Sequence, residues 1–252
     1  MNPQSNQSVR HSRGTIDQLS TLAAHLPGER RFYLIAAVGI IVVVLAGFSI
    51  DFDLLFDMSS LSFLARAHGL VMFAWVGVFF AQVFLVARHR VDLHRRLGIF
   101  GAALALLIVI IGTYTSIVAA RLGGNHWPPG IPAIPFLSSS LLLLLTFTVL
   151  AGAGLAMRQR PGAHKRLMFL ATMLLLDAAL VRFISAYTHW SIQAAWVRNL
   201  LVLACIVVDA LRHRRFHPAF LAGGLLLLAY DFTQVWLAGT TAWLHFAKWL
   251  LT

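Results

Sequence analysis

Long apolar runs alternate with short charged ones along the whole chain. The apolar stretches fall at roughly 32–50, 63–87, 97–120, 136–157, 167–189, 192–211 and 218–238. Each approaches or exceeds the ~20 residues a helix needs to cross about 30 Å of hydrocarbon. Lipid cannot satisfy free backbone N–H and C=O groups, so such spans are helices or a closed barrel. Runs of Leu, Val and Ala without period-two alternation select helices. The pattern therefore predicts an all-α, polytopic membrane bundle of about seven transmembrane helices over 32–238. A polar tail, 1–31, precedes it and an interfacial segment, 239–252, follows it. Arg198 and Asn199 interrupt the sixth run near its outer end, which makes it the least regular span. In the tail, Ile16, Leu19, Ala23 and Leu26 share one helical face behind Thr15, a pattern for a helix lying in the interface. In the last segment, Trp243 and Trp249 mark the outer boundary, where amphipathic aromatics settle.

Charge orients the bundle. Apart from Arg66, Arg121, Arg182, Arg198 and Lys248, every Lys and Arg falls in the tail or in the loops after spans two, four and six. The positive-inside rule then puts the N-terminus in the cytoplasm, and seven spans put the C-terminus outside. Asp51, Asp53, Asp57 and the Pro-rich stretch "NHWPPGIPAIPF", read as an extended, stiff connection, fall on the outer side. A net charge of +11 would suit nucleic acid on a soluble protein, but here it sits at helix ends beside anionic lipid headgroups. The 59% hydrophobic and 12% charged composition agrees with a multi-pass protein, expected in a bacterial inner membrane. Cys205 is the only cysteine, so neither an intrachain disulfide nor a cysteine metal cluster is available. No short apolar core lies near Met1, so no cleavable leader is expected.

One motif occurs twice. "RHRVDLHRRLG" at 88–98 is echoed by "RQRPGAHKRLM" at 158–168, and "RHRRFHP" repeats it weakly at the next inner turn. This reads as a helical hairpin repeated in parallel orientation. His94 and His164 fall in the first turns of helices running the same way, with Asp92 placed to cap the third helix and Pro161 to start the fifth. Two neutral imidazoles at matched depth are what a b-type haem requires as axial ligands, and Arg95 and Arg166 are placed to hold its propionates. The plainer reading stays open: basic clusters at inner helix ends set topology and recruit anionic lipid.

Polar groups also recur within the spans. His68, Met72, Trp75, Phe79 and Gln82 form one stripe of the second helix, expected to face the interior, either lining a cavity or bonding across helices. Asp177 falls near the middle of the fifth span, with Arg182 and His189 beyond it. Asp231, Gln234, Thr241 and His245 line one stripe of the last helix, and Arg198, Cys205 and Asp209 one of the sixth. An unpaired charge in hydrocarbon is costly, so Asp177 or Asp231 is expected to pair with Arg182 or Arg198, or to be protonated. Such a network is either structural or a ligand or relay site formed by Gln82, Asp177, Asp231 and Gln234. Neither lysine, Lys165 nor Lys248, lies mid-span, which excludes a retinal Schiff base.

Residues 68–182 resemble a widespread set of uncharacterised bacterial multi-pass proteins defined by a predicted-membrane domain of unknown function. The resemblance rests on "HG" at His68–Gly69, Gln82, "HRRLG" at 94–98, "HKRLM" at 164–168 and Arg182; Leu167 stands where that pattern often has Trp. It implies a membrane protein with polar positions at His68, His94, His164 and Arg182. More loosely, the layout is similar to bis-histidine transmembrane cytochromes, which implies an inner His94–His164 pair. It also implies an outer site at His68 and Arg182, with His189 or His126 as a second partner for His68. The resulting expectation is a haem b electron carrier with a redox or membrane-protein partner. The alternatives are a non-redox carrier of a small or lipid-like ligand and a structural subunit of a membrane complex.

Overall fold

The computed structural model describes residues 28–49, 62–122, 132–187 and 192–252. These form α1 (Gly28–Ser49), α2 (Phe63–Ala87), α3 (Val91–Arg121), α4 (Ala133–Ala156), α5 (Pro161–Leu175), α6 (Asp177–Tyr187), α7 (Ile192–His213), α8 (Pro218–Ala238) and α9 (Thr241–Leu251). Strands are absent among the described residues. Among the described residues, seven stretches are long and apolar enough to cross a membrane, with α5 and α6 together making one, Pro161–Ala186. Large apolar side chains such as Leu106 (63% exposed) and Val235 (74%) point outward, as lipid contact requires. The chain is a multi-pass membrane protein.

Sequential helices pack as hairpin neighbours: α2 on α3, α3 on α4, α4 on α5. α8 returns against α4 and α5, and α1 lies between α2 and α6. α5 is central because it is apolar all round: Phe169, Leu170, Ala171, Thr172, Met173 and Leu174 are buried in succession. Trp75 of α2 fastens to it, donating from Nε1 to Thr172 Oγ1 at 3.2 Å while its ring meets Phe147 of α4 edge-on. Trp75 and Phe79 are buried, so the expected α2 stripe does face inward. Small residues allow close approach. A Cβ on Gly154 would meet Met168 Sδ at 2.8 Å, and one on Gly47 would run into the main chain of Ala179.

The basic segments converge on one end. Arg30 Nη1 lies 2.5 Å from His89 Nε2, Lys165 bonds Glu29, and Arg212 bonds the Gly28 carbonyl. The start of α1 and the turns before α3, α5 and α8 therefore share a level.

Several boundaries differ from the expected ones. α1 begins at Gly28, which draws Glu29, Arg30 and Arg31 from the polar tail into the helix, and α3 and α5 begin early enough to include Arg95 and Arg96, and Lys165 and Arg166. Pro161 occupies the first turn of α5 as expected. Asp92 does not cap α3. The preceding turn is closed by His89 at φ 61°, so the helix starts two residues earlier than a cap at Asp92 would need, and Arg90 takes the cap position. The carboxylate of Asp92 instead accepts from Arg90 Nε at 3.4 Å. The fifth span breaks at Leu176. α7 runs unbroken through Arg198 and Asn199 because carboxylates from neighbouring helices take both side chains. α8 ends at Gly239, so Thr241 and His245 belong to α9 and the proposed four-residue stripe is split. α9 packs through Trp243 and Ala247 onto Ala120 and Leu137, leaving Trp249 71% exposed. Pro132 caps α4, so Ile134 to Phe136 are helical, not extended. The tail pattern at 15–26, the loop of Asp51, Asp53 and Asp57, and His126 and His189 lie outside the described residues.

Candidate functional site

His94 and His164 occupy equivalent places, each the fourth residue of its helix. The main-chain N–H of each donates to the cap carbonyl, Arg90 or Arg160, at 3.0 Å. α4 packs against both α3 and α5, yet the two rings reach one another at the basic end. Their centroids are 6.2 Å apart and their planes stand at 87°. His164 Nδ1 lies 2.8 Å from the Gly154 carbonyl, which can only accept, so Nδ1 carries the hydrogen and Nε2 the free lone pair. His94 Nδ1 is buried without a partner, and so is Gln82 Oε1 beside it. Gly98, one turn above His94, faces the Gln82 amide, where a Cβ would come within 3.5 Å of Nε2.

These residues pass part of a metal-fit test. Bonds of about 2 Å from a metal to one nitrogen of each imidazole place ring centres about 6 Å apart, close to the spacing here. The His164–Gly154 bond is the kind of outer contact that orients metal-bound histidines. Arg166 does not fit its expected role. Its Nε and Nη2 bind both oxygens of Asp209 at 2.9 and 2.6 Å, and its Nη1 donates to the Gly162 carbonyl at 2.8 Å. Both partners' side chains are 3% exposed, so this guanidinium is committed within the fold. Arg95 lies exposed next to His94.

The Asp209 partnership was not visible in the sequence stripe that grouped Asp209 with Arg198 and Cys205. Around the pair, Glu29 accepts from Lys165, and His213 Nε2 lies 3.3 Å from Glu29 Oε1. Glu29, Asp209 and His213 are close enough to share an ion, but Lys165 and Arg166 already neutralise the two carboxylates. A cavity of about 210 Å³ opens beside them, with Lys165, Arg166, Arg215 and His217 in its wall.

A second buried cluster lies in the half of the bundle away from the basic end. Arg198 is 0% exposed and meets both expected carboxylates. Its Nη1 bonds Asp177 Oδ2, and its Nη2 lies 2.6 and 2.5 Å from the two oxygens of Asp231. Asn199 Nδ2 adds a third bond to Asp231, at 2.7 Å, and the Tyr230 ring lies 5.6 Å from the guanidinium carbon. Asp177 Oδ1 is buried without a partner. Arg182 stands over the Phe48 ring at 4.4 Å and donates to the Ala178 carbonyl at 3.2 Å. His68 is near Arg182, with its Nδ1 buried and unpartnered. The Gln234 carbonyl accepts from Ser138 Oγ at 3.4 Å, tying α8 to α4. The structure thus groups His94, His164 and Gln82 at the basic end, Asp177 with Asp231, and His68 with Arg182. No protein-family model, curated protein or solved structure matches the chain.

Proposed function

We propose that the protein binds a b-type haem between His94 and His164 and carries electrons at the basic side of the membrane, in a bacterial inner membrane. The observation that carries this reading is the facing imidazole pair, 6.2 Å apart, on two helices with the same N-terminal geometry. When bound, haem supplies one-electron chemistry. The chain's own residues bind and orient. The Gly154 carbonyl takes His164 Nδ1, which leaves Nε2 as the nitrogen available for ligation. Gln82 and Gly98 form the adjoining wall on α2 and α3. Arg95, exposed beside His94, is placed to meet a propionate. Arg166 instead holds α5 to α7 through Asp209 and so sets the position of His164 two residues away.

The test is a visible absorption spectrum of the purified full-length protein in its oxidised and reduced states. A b-type spectrum lost in both His94→Ala and His164→Ala, and retained in His68→Ala, supports the reading. A colourless protein that takes up no added haem overturns it.

A further inference from the structure

The two buried ion clusters differ in charge count. At the basic end, Arg166 faces Asp209 and Lys165 faces Glu29, one cation for each anion. In the other half of the bundle, Arg198 faces Asp177 and Asp231 together. Two further groups that touch the three side chains carry no charge. Asn199 on α7 and Tyr230 on α8 are neutral, and Arg182, on the same element as Asp177, is engaged by Phe48 and the Ala178 carbonyl with His68 beyond it. α5 reaches this level with apolar Met173 and Leu174, and the charges of α1 (Glu29, Arg30 and Arg31) lie at the basic end. The cluster formed by Arg198, Asp177 and Asp231 therefore holds two carboxylates on one guanidinium, in a layer where uncompensated charge is strongly disfavoured.

The hydrogen bonds identify the odd group. Asp231 receives Arg198 Nη2 on both oxygens and Asn199 Nδ2 on one. Asp177 receives Arg198 Nη1 on Oδ2 alone, and its Oδ1 is buried with no partner. It also opens α6, where the span breaks at Leu176. Interrupted helices inside membranes characteristically line sites, since exposed backbone is not tolerated against lipid. We propose that Asp177, Asp231 and Arg198 form a binding site for one exchangeable proton, carried on Oδ1 of Asp177. The proton comes from water on the far side of the bundle; its arrival turns carboxylate to carboxylic acid and leaves one carboxylate on the guanidinium. An alkali cation fits less well. Hard cations gather several oxygens, whereas the Asn199 and Asp231 oxygens are turned to Arg198. The site is remote from His94 and His164, and the proposal holds whether or not haem is bound there.

Infrared spectroscopy of the full-length protein in lipid nanodiscs tests it. At neutral pH, one protonated carboxylic acid C=O band is expected, shifting in heavy water and disappearing on alkaline titration. Asp177→Asn and Asp231→Asn each leave one carboxylate for Arg198, so either substitution should abolish the band. Arg198→Gln should enlarge it, because two carboxyls then lack a cation. Should these variants fail to fold, the wild-type titration decides by itself. The absence of the band from the wild type at neutral pH overturns the proposal, with or without a sodium-dependent change in unfolding temperature. So does a band that survives in both asparagine variants.

Discussion

Arg166 and Asp209 form a neutral, two-point ion pair whose side chains are 3% exposed. Removing one partner leaves a buried charge with no counterpart, which typically costs about 3–5 kcal/mol. Asp209→Ala should therefore lower the detergent unfolding midpoint sharply, while Arg166→Met combined with Asp209→Leu should recover most of the loss. A loss in the double variant equal to the sum of the two single-variant losses would show that the charges are not coupled. His217 offers a test with pH. Its Nδ1 accepts the Ala219 N–H and caps α8, while partial burial and nearby Arg166 hold its imidazole below the ordinary value of 6.5. The unfolded chain takes up this proton first as pH falls, so this contribution to stability is full above the ordinary histidine value and declines below it. His217→Asn, which keeps a capping oxygen, should flatten that decline in an unfolding-versus-pH series. Among the site residues, His94 and His164 were legible because a repeated segment marks them at the same helix position. The Arg166–Asp209 pair was not, because it joins α5 to α7 and nothing in either segment names the other. The choice of Arg198 over Arg182 was equally tertiary, since either arginine could reach Asp177 by spacing alone.

The helices were largely legible because each apolar run exceeds what a soluble helix tolerates, and one solvent environment dictates both their length and their composition. Their inner ends were less so: hydropathy stops at the basic turns, whereas backbone hydrogen bonding continues through them to Val91 and Pro161. The break at Leu176 left no local trace, for residues 163–187 contain neither Gly nor Pro. Its partners lie on other helices, where Arg198 takes Asp177 and Gly47 of α1 meets the Ala179 main chain. This contact gives a prediction at the same scale. A Cβ at Gly47 has only backbone to displace, so Gly47→Ala should push α1 off α6 and destabilise by about 1–3 kcal/mol, the usual range for overpacking. Gly39, on the same helix, has nothing within 4 Å of an added Cβ, and Gly39→Ala should be neutral or slightly stabilising. Thermal unfolding of both variants in one detergent separates a close helix approach from a general intolerance of α1.

For the molecule as a whole, orientation decides which compartment the imidazole pair serves. Arg30 against His89, Lys165 against Glu29 and Arg212 against the Gly28 carbonyl assemble the basic turns at one end, and α9 packs at the other, on Ala120 and Leu137. Carrying several arginines through the layer is opposed by roughly 2.5–3.5 kcal/mol for each one at the centre of a span, so the basic end should face the cytoplasm. Cys205 is the only cysteine, and Cys205→Ala provides a thiol-free background. In that background, Thr252→Cys should react with a membrane-impermeant maleimide in intact spheroplasts. Gln159→Cys, exposed in the turn between α4 and α5, should react only after lysis. The opposite labelling would place His94 and His164 outside, so that the proposed electron carrier would need an external donor and the proposed proton site would lie in the cytoplasmic half. Labelling of both positions in intact spheroplasts would mean mixed insertion, in which the basic turns no longer fix a single orientation.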